Sequence, residues 1–211
     1  MMNIKIPLSD FLPWGVCSFC DIEESLIQCR AKSRIPKGAK SVIVYLFPYY
    51  LGDDSYKKLN ISKYAVPDDY HIIVGAYLEK AVGELKERYP GNSFEPFCDN
   101  SPIPEVKAAV LSGIGVKGDN GLLINEKYGS FCFIGEIVTD LEITPTTASK
   151  TECLKCGKCK KACPDGAIGD GFCKEKCFSH LTQKKGELNE RTAEFIRKNG
   201  CIWGCDNCQN V

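Results

Sequence analysis

Four cysteines at fixed spacing are the residues of this sequence best suited to chemistry. Cys153, Cys156, Cys159 and Cys163 form the run C-x2-C-x2-C-x3-C, and Pro164 follows directly. In bacterial ferredoxins this run binds [4Fe–4S] clusters: the first three thiolates hold one cluster, and the cysteine before the proline binds another. A zinc knuckle favours two separated C-x2-C pairs, and disulfide bonds do not require this spacing. The run therefore predicts an iron–sulfur site, whose chemistry is one-electron transfer.

Five more cysteines lie between this run and the end of the sequence, and two of them, Cys205 and Cys208, form a second C-x2-C pair. Proteins with two such clusters cross their ligands, so that each motif supplies a thiolate to the cluster of the other. The predicted metal ligands are Cys153, Cys156 and Cys159 for the first cluster, and Cys163, Cys177, Cys205 and Cys208 for the second.

The first cluster lacks a fourth thiolate in this assignment. If Cys205 and Cys208 begin another C-x2-C-x3-C pattern, the missing ligand is residue 212, which would follow Val211. A longer natural chain would supply it, and we favour this explanation. The alternative is that Cys173 or Cys201 takes its place.

The sequence has 14 cysteines in 211 residues, and the cellular compartment decides what so many thiols do. Residues 1–10 carry no export-type apolar segment, and no run of about 18 apolar residues could span a membrane. We therefore expect a cytoplasmic protein with no membrane partner, in which reduced thiols bind metal rather than form disulfides. Cys17 and Cys20 form an isolated C-x2-C pair, followed by Cys29. Without a second pair, we expect these three to be buried core thiols.

The charge of the chain is balanced overall but not along its length. Residues 150–211 contain twelve of the 27 Lys and Arg residues and eight of the 27 Asp and Glu residues, so this tail carries +4 and the rest −4. A basic tail is typical of nucleic-acid binding. Clusters bound by four thiolates are negatively charged, however, so the basic residues could instead compensate two clusters, and we favour this interpretation.

The elements that must position these residues follow from hydrophobic periodicity and from turn residues. An apolar, β-branched run predicts a buried central strand. Apolar residues at helical spacing predict a long helix that Asp68 or Asp69 caps, and these residues are Ile73, Val74, Tyr77, Ala81 and Leu85. The expected elements are a strand at 41–47, helices at 70–89 and 104–111, a strand at 93–97, a β-hairpin of 122–125 with 130–138, and a helix at 189–199 that buries Ala193, Phe195 and Ile196.

A linker that contains Thr and Pro, at 140–149, separates two kinds of sequence. We expect a mixed α/β (α+β) domain over residues 1–145 and a small ferredoxin-like domain with two [4Fe–4S] clusters over residues 146–211.

Several stretches resemble the epoxyqueuosine reductase family in order and spacing. They are ISKYAVPDDYH at 61–71, FCDNSP at 97–102, SGIG at 112–115, GSFCFIGEIVTDL at 129–141, the ferredoxin-type run, CFSHLT at 177–182 and GCDNCQ at 204–209. The resemblance implies a nitroreductase-like α/β domain that binds cobalamin, with clusters that pass electrons one at a time to cobalt.

The resemblance also implies a catalytic acid. In this family Co(I) acts as the nucleophile, and a carboxylic acid protonates the oxygen that leaves carbon; Asp99 matches that acid. Taken alone, Asp99 is a turn or capping residue before Pro102. Beside an apolar corrin its pKa should be raised, which would keep it protonated at neutral pH.

Four residues are implied as cobalamin contacts. Leu123 and Ile134 match positions where the family backbone touches the cofactor, although ordinary core packing explains them equally well. Ser179 and Asp206 adjoin cluster ligands, so they could face the corrin edge or only form hydrogen bonds to a cluster.

Three other polar residues stand in the matched stretches, and none is assigned to catalysis. Local hydrogen bonds at a helix start explain His71. We expect His180 to pack between cluster and cofactor, and Glu136 to form a structural salt bridge.

The resemblance implies an oxidoreductase that reduces epoxyqueuosine to queuosine in tRNA, with two [4Fe–4S] clusters, cobalamin, and an external electron donor such as flavodoxin or ferredoxin. One alternative is a reductive dehalogenase-like cobalamin enzyme acting on a small organohalide, although the lack of an export signal disfavours its respiratory form. The other is a ferredoxin-type electron carrier without cobalamin, which the length of α/β sequence before the clusters disfavours.

Overall fold

The computed structural model describes residues 2–50, 52, 59–147 and 152–211. Within these residues, an antiparallel sheet with helices on both faces precedes a cysteine-rich part built from short helices. The strands are β1 (Trp14–Ser18), β2 (Ser41–Pro48), β3 (Phe94–Phe97), β4 (Val116–Lys117), β5 (Leu123–Ile124) and β6 (Cys132–Thr139). The helices are α1 (Cys20–Glu23), α2 (Tyr70–Arg88), α3 (Glu105–Leu111), α4 (Lys158–Ala162), α5 (Phe178–Thr182) and α6 (Glu190–Asn199).

The mixed α/β class expected from the sequence is confirmed by this architecture. The expected domain boundary at residue 145 stays a prediction, since it adjoins residues 148–151, which lie outside the described ranges. Among the helices of the described ranges, none has both the length and the apolar character needed to cross a lipid bilayer.

The main sheet has the order β1-β2-β6-β3, and each pairing is antiparallel. Every residue of β2 from Ser41 to Phe47 is buried, which confirms the expected central strand. The expected β-hairpin is wrong: β5 pairs with β4, and β6 inserts between β2 and β3. An isolated bridge between Asn125 and Gly129 closes the turn that precedes β6. Pairing along eight residues of β2 buries β6 on both faces, which the two-residue β5 could not do.

Helix α2 covers one face of the sheet. Its start is capped by Asp69, whose side chain accepts the N–H of His71 at 3.0 Å. The residues that α2 buries are Val74, Leu78, Ala81, Val82 and Leu85. The expected burial of Ile73 and Tyr77 is wrong, since these side chains are 45% and 47% exposed. The helix is rotated so that the 74-78-81-85 row meets the sheet, and its neighbours on either side reach solvent.

Gly135 of β6 permits the close approach of α2. A Cβ at this position would lie 2.9 Å from Val74 Cγ1 and 3.1 Å from Leu78 Cδ1. Real Cβ atoms essentially never come as close as the first of these distances. The missing side chain therefore fixes how near the start of α2, with Tyr70 and His71, lies to the sheet.

The opposite face of the sheet packs against α1 and α3, where Ala108 and Ala109 are fully buried. Cys17 of β1 is buried there, as expected from the sequence. The same expectation is wrong for Cys20, which is exposed, and for Cys29, which is partly exposed. Cys20 is the first residue of α1, in which only Ile22 is buried. Cys29 directly precedes a single helical turn at 30–34 that buries none of its residues.

The cysteine-rich part has a small core of its own. The rings of Phe178 and Phe195 stack with centroids 3.7 Å apart. Helix α6 matches the predicted helix: Asn189 caps it by accepting the N–H of Thr192 at 2.9 Å, and Gly200, with φ +70°, ends it. Phe195 is buried as expected, and so is Thr192; the expected Ala193 and Ile196 are only partly buried.

The C-terminal segment is seated on a short stretch of the first part of the chain. The N–H of Ile202 donates to the carbonyl of Asn60 at 2.7 Å, and the N–H of Ser62 donates to the carbonyl of Trp203 at 2.8 Å. Gly204 follows with φ +81°, and a Cβ there would lie 2.4 Å from Ser62 Cβ. Only glycine satisfies both the backbone conformation and the contact.

Candidate functional site

The four thiols predicted to bind the second cluster line one cavity. Cys163, Cys177, Cys205 and Cys208 border a cavity of about 380 Å³. They come from three separate places: the end of α4, the start of α5 and the turn after Gly204. Their role as ligands stays a prediction, and this convergence supports it because four thiolates are the donor set of a [4Fe–4S] cluster.

Local backbone structure holds each thiol at this cavity. The sulfur of Cys163 accepts the N–H of Ala167 at 3.2 Å, so the chain turns back beneath it. Cys177 adopts extended backbone immediately before α5. The N–H of Gly204 donates to Thr182 Oγ1 at 2.9 Å, which links α5 to the segment carrying Cys205.

Burial acts on the protonation of two of these thiols, Cys205 and Cys208. Burial raises the pKa of Cys205 to about 12, and the neighbouring Cys208 and Cys177 act in the same direction. Burial also raises the pKa of Cys208, which a hydrogen bond to the side chain of Asn120 partly lowers. Metals bind the thiolate, so cluster binding must release these protons.

The cysteines form neither disulfides nor a compact single-metal site. All fourteen lie in the described ranges as free thiols. Within the same ranges, no three His, Cys, Asp or Glu side chains converge closely enough for one metal ion. A single zinc ion needs its ligand atoms within about 2.3 Å of one point, whereas a cubane of four irons holds its thiolates farther apart.

The predicted ligands of the first cluster flank the start of α4. Cys156 is exposed, and Cys153 and Cys159 are partly exposed. Neither alternative fourth ligand is free of local contacts. The thiol of Cys173 donates to Glu175 at 3.6 Å, and that of Cys201 lies 3.4 Å from the carbonyl oxygens of residues 203 and 204. The identity of the fourth ligand stays a prediction.

A second cavity, of about 180 Å³, continues from the thiol-lined one. The two cavities share Tyr70, Leu122, Ser130, Cys132 and Phe133. The rings of Tyr70 and Phe133 stack at 4.2 Å with an angle of 8°, and they form a flat wall that borders both cavities. We call the two cavities together the cleft. At its far end lies Asp99, so the cleft joins the four thiols to the candidate acid.

Asp99 occupies an unusual turn. Both Asp99 and Asn100 have positive φ, at +51° and +37°, which residues other than glycine rarely adopt. His71 Nε2 lies 3.0 Å from Asp99 Oδ2, and His71 Nδ1 lies 2.7 Å from Asp69 Oδ1. The three side chains Asp69, His71 and Asp99 therefore form a hydrogen-bonded chain across the start of α2. The strained backbone at residues 99 and 100 is of a kind found at functional sites.

This chain of side chains controls where the proton lies. The hydrogen bond to His71 lowers the pKa of Asp99, and burial opposes it only in part. Hydrogen bonds to Asp99 and to Asp69 raise the pKa of His71. The expectation of a raised pKa for Asp99 concerns the carboxyl beside a bound corrin, and it stays a prediction. The pair carries its shared proton mainly on His71.

Beyond Asp99 the surface opens into a wider cavity of about 740 Å³. Glu105, the first residue of α3, lines both this cavity and the cleft. Burial raises the pKa of Glu105 to about 7, and the charge of Asp99 acts in the same direction. The backbone N–H of Asp99 donates to the Glu105 carboxylate and partly lowers this pKa.

The four residues predicted to touch cobalamin lie at different places. Leu123 and Ile134 line the part of the cleft near Asp99, and Ser179 lines the thiol cavity. The carboxylate of Asp206 accepts hydrogen bonds from Ser62 and from the N–H of Lys63, and it lines a separate cavity. Their roles as cofactor contacts stay predictions.

Three cleft residues were missed by the sequence interpretation: Tyr70, Glu105 and Gln209. His71 was interpreted only as a helix-start residue, and its contact with Asp99 was missed. Tyr70 and His71 directly follow the helix cap at Asp69, so their place at the start of a helix and inside the matched stretch 61–71 was a usable signal. Gln209 accepts the Ser130 hydroxyl at 3.0 Å, and only the folded structure reveals this contact.

Two other expectations change in the structure. The expected salt bridge of Glu136 is wrong, because within the described residues both of its buried carboxyl oxygens lack a hydrogen-bond partner. Glu136 is fully buried in the sheet, opposite Val44 and Phe97. His180 lies in α5 and is partly exposed, and it contributes to the lowered pKa of Glu175. It is not among the described residues that line the thiol cavity.

The residues present fit both groups that the sequence implies. The converging thiols suit an iron–sulfur cluster. Beside them the cleft offers the stacked aromatic wall, the side chains of Leu122, Leu123 and Ile134, and a few polar groups, which is the lining that a large flat cofactor requires.

Comparisons with sequence families divide the chain as the cysteine pattern does. A profile described as "Epoxyqueuosine reductase QueG, DUF1730" matches residues 30–100. A second, described as "4Fe-4S double cluster binding domain", matches residues 152–211. A curated epoxyqueuosine reductase from Cyclobacterium marinum is 36% identical over 189 residues, which cover 84% of this chain and 59% of that protein. The chain therefore spans a little over half the length of this relative.

Solved structures share the fold. Epoxyqueuosine reductase from Streptococcus thermophilus superposes with a TM-score of 0.83 at 24% identity, over 99% of this chain and 65% of that one. An epoxyqueuosine reductase solved with an epoxyqueuosine-modified tRNA-Tyr stem loop gives 0.73 at 22% identity, over 94% and 60%. A reductive dehalogenase whose structure suggests a B12-dependent mechanism gives 0.53 at 18% identity, over 85% and 29%.

Proposed function

Because the chain belongs to the epoxyqueuosine reductase family, we propose that it reduces epoxyqueuosine to queuosine in tRNA with the help of iron–sulfur clusters and cobalamin. The observation that carries the proposal is the continuous cleft, with four cysteine thiols at one end and Asp99 at the other. A redox supply and a proton supply thus border the same space.

The cysteine-rich part would hold two [4Fe–4S] clusters. Their ligands would be the three thiols before and within α4 and the four thiols of the cavity, as the spacing predicts. An external one-electron carrier, such as flavodoxin or ferredoxin, would supply the electrons.

The cleft would hold cobalamin through Leu123, Ile134 and Ser179. Asp206, which lines a separate cavity, stays a predicted contact. When bound, cobalamin supplies a cobalt that is strongly nucleophilic in its reduced Co(I) state. The stacked Tyr70 and Phe133 rings would support the macrocycle and exclude water from this side.

Asp99 would deliver a proton to the epoxide oxygen as that oxygen leaves carbon. His71 binds the same carboxylate through Nε2, and its raised pKa keeps a proton at this pair near neutral pH. Asp69 fixes the imidazole from the other side by accepting at Oδ1 from Nδ1. The proton source in this proposal is the pair, with Asp99 as the member that faces the cleft.

Transfer RNA is the proposed substrate carrier. One structural neighbour was solved with a tRNA-Tyr stem loop that bears epoxyqueuosine. The tail of this chain carries a net charge of +4, which would attract phosphates wherever bound clusters do not offset it.

Reductive dehalogenation of a small molecule is the second candidate. The fold of a reductive dehalogenase, with a TM-score of 0.53, favours it at the level of architecture. A small substrate would need only the cleft and the 740 Å³ cavity beside Asp99.

The test loads the protein anaerobically with iron, sulfide and cobalamin, and then supplies an epoxyqueuosine anticodon stem-loop with a strong reductant. We expect about eight Fe for two clusters, one Co per chain, and queuosine as the product. Asp99→Asn should keep both metals and lose turnover by about 100-fold or more. The exposed Asp68→Asn is the matched control and should behave as wild type.

Other outcomes separate the candidates. Protein that binds iron but no cobalt would support the ferredoxin-type electron carrier. Cobalt with halide release from an aryl halide, and no conversion of the stem-loop, would move the assignment to dehalogenation.

A further inference from the structure

Two carboxyl groups behind Asp99 have no part in the proposed function so far. Glu136 stands in the centre of the sheet, opposite Val44 of β2 and Phe97 of β3. It is 0% exposed, and both of its carboxyl oxygens lack a partner among the described residues. A buried carboxylate without a cation or a donor is strongly unfavourable. Glu136 is therefore a neutral acid, and negative charge is disfavoured in its neighbourhood.

Glu105 is the member of this pair that reaches the cleft. It lines the same two cavities as Asp99, and apart from these two no carboxylate among the described residues lines both. The titratable groups that face it are Tyr70 of α2, Cys98 after β3, Asp99 and Glu136 of β6. Lys107 of α3 and Lys117 of β4 line the cavity of about 740 Å³. The charged group that raises the pKa of Glu105 is Asp99.

The chemistry of the proposed reaction requires a second proton. An epoxide becomes an alkene and water by taking up two electrons and two protons, and both C–O bonds break. The electrons come from the external carrier through the clusters. Both protons end on the same oxygen: the first turns it into a hydroxyl group as one C–O bond opens, and the second lets it leave as water. The second donor must therefore reach the space that Asp99 reaches.

Resting on the proposed function, we propose that Glu105 donates the second proton to the oxygen that Asp99 has protonated first. The geometry favours Glu105 because its carboxylate borders the same two cavities as Asp99, whereas Glu136 is sealed in the sheet. The first proton comes from the pair of Asp99 and His71, and the negative charge that this leaves on Asp99 favours the proton on Glu105 until the leaving hydroxyl group takes it. Glu136 stays neutral throughout and donates nothing.

The test compares Glu105→Gln with Glu136→Gln, the same chemical change at two neighbouring carboxyl groups. In the fully loaded enzyme, Glu105→Gln should lower kcat about 100-fold with little change in KM, as loss of a general acid does. Wild-type kcat should fall as pH rises through about 7, where Glu105 loses its proton, and Glu105→Asp should retain this descent. Glu136→Gln should keep both kcat and the pH profile, because it replaces one neutral group with another.

Infrared pH-difference spectra of the loaded protein give a readout without turnover. A protonated carboxyl C=O band should disappear near pH 7 in wild type and in Glu136→Gln, and it should be missing from Glu105→Gln. Wild-type kcat in Glu105→Gln, or equal losses in both Gln variants, would overturn the assignment while the reductase function stands. A wild-type enzyme that leaves the epoxide intact would instead overturn the proposed function and the second proton with it.

Discussion

Gly135→Ala measures how tightly the contact between β6 and α2 controls the site. The new methyl group would lie 2.9 Å from Val74 Cγ1, 3.1 Å from Leu78 Cδ1 and 3.1 Å from Phe47 Cε2. Overpacking of this kind costs about 1–3 kcal/mol, and the reduced entropy of the unfolded chain returns roughly 0.4–1 kcal/mol. We therefore expect the free energy of unfolding to fall by about 1–2 kcal/mol.

The assay is thermal unfolding followed by far-ultraviolet circular dichroism, on anaerobic preparations with equal iron content. For a chain of this size, each kcal/mol lowers the midpoint by roughly 2–4 °C, so a fall of about 2–8 °C is expected. Gly75→Ala is the matched control, because Gly75 lies in α2 and nothing lies within 4 Å of the new Cβ. It should raise stability by about 0.5–1 kcal/mol, because alanine favours helix over glycine.

The same substitution should reach the proton-supplying pair. A displaced α2 carries His71 away from Asp99, so turnover should fall more than the stability change explains. A Gly135→Ala protein that melts at or above the wild-type temperature would refute the claim that the missing side chain sets the position of α2.

The other predictions concern single side chains. His71→Gln should raise the pKa of Asp99, because the hydrogen bond to the imidazole lowers it. The contact that is removed stabilises the fold above the ordinary carboxyl pKa of about 3.9. This stabilisation is lost as pH rises through the raised pKa of His71. Urea unfolding should therefore show a loss of at most about 1 kcal/mol near pH 5, since both groups are half exposed, and none near pH 9. Cys163→Ser should lose about half of the bound iron, as one of two clusters, whereas the exposed Cys20→Ser should lose none; equal iron in both would contradict the ligand assignment. Glu136→Met should stabilise the fold by about 1–3 kcal/mol by removing a buried polar group without a partner, and a less stable variant would show that the carboxyl has a partner.

Local patterns predicted the elements whose stability is local. The apolar run at 41–47 and the helical spacing after Asp69 gave β2 and α2 with nearly correct bounds, because burial and capping both follow from neighbouring residues. The hairpin was wrong for the opposite reason. Strand β6 pairs with β2, which lies about ninety residues earlier in the chain, and no local pattern decides between distant partners.

The candidate site divides in the same way. The spacing of the cysteines suffices to group four thiols that the structure brings to one cavity. The helix-start interpretation of His71 was correct for one ring nitrogen, which meets Asp69 two residues away. The other nitrogen meets Asp99, 28 residues away, and that contact depends on how α2 lies on the sheet. Glu136 is buried for the same kind of reason, since its neighbours come from two other strands.

The seat of the C-terminal segment bears on how the two parts of this molecule can be studied. Asn60 and Ser62 supply a carbonyl and an N–H to residues 202 and 203, and Gly204 touches Ser62 so closely that no side chain fits between them. A fragment that begins at the cysteine run would lack this seat and would present loose ends where Cys205 and Cys208 must be held. We therefore expect the cysteine-rich part not to fold on its own, because the segment that carries Cys205 and Cys208 is held by backbone hydrogen bonds to residues 60 and 62.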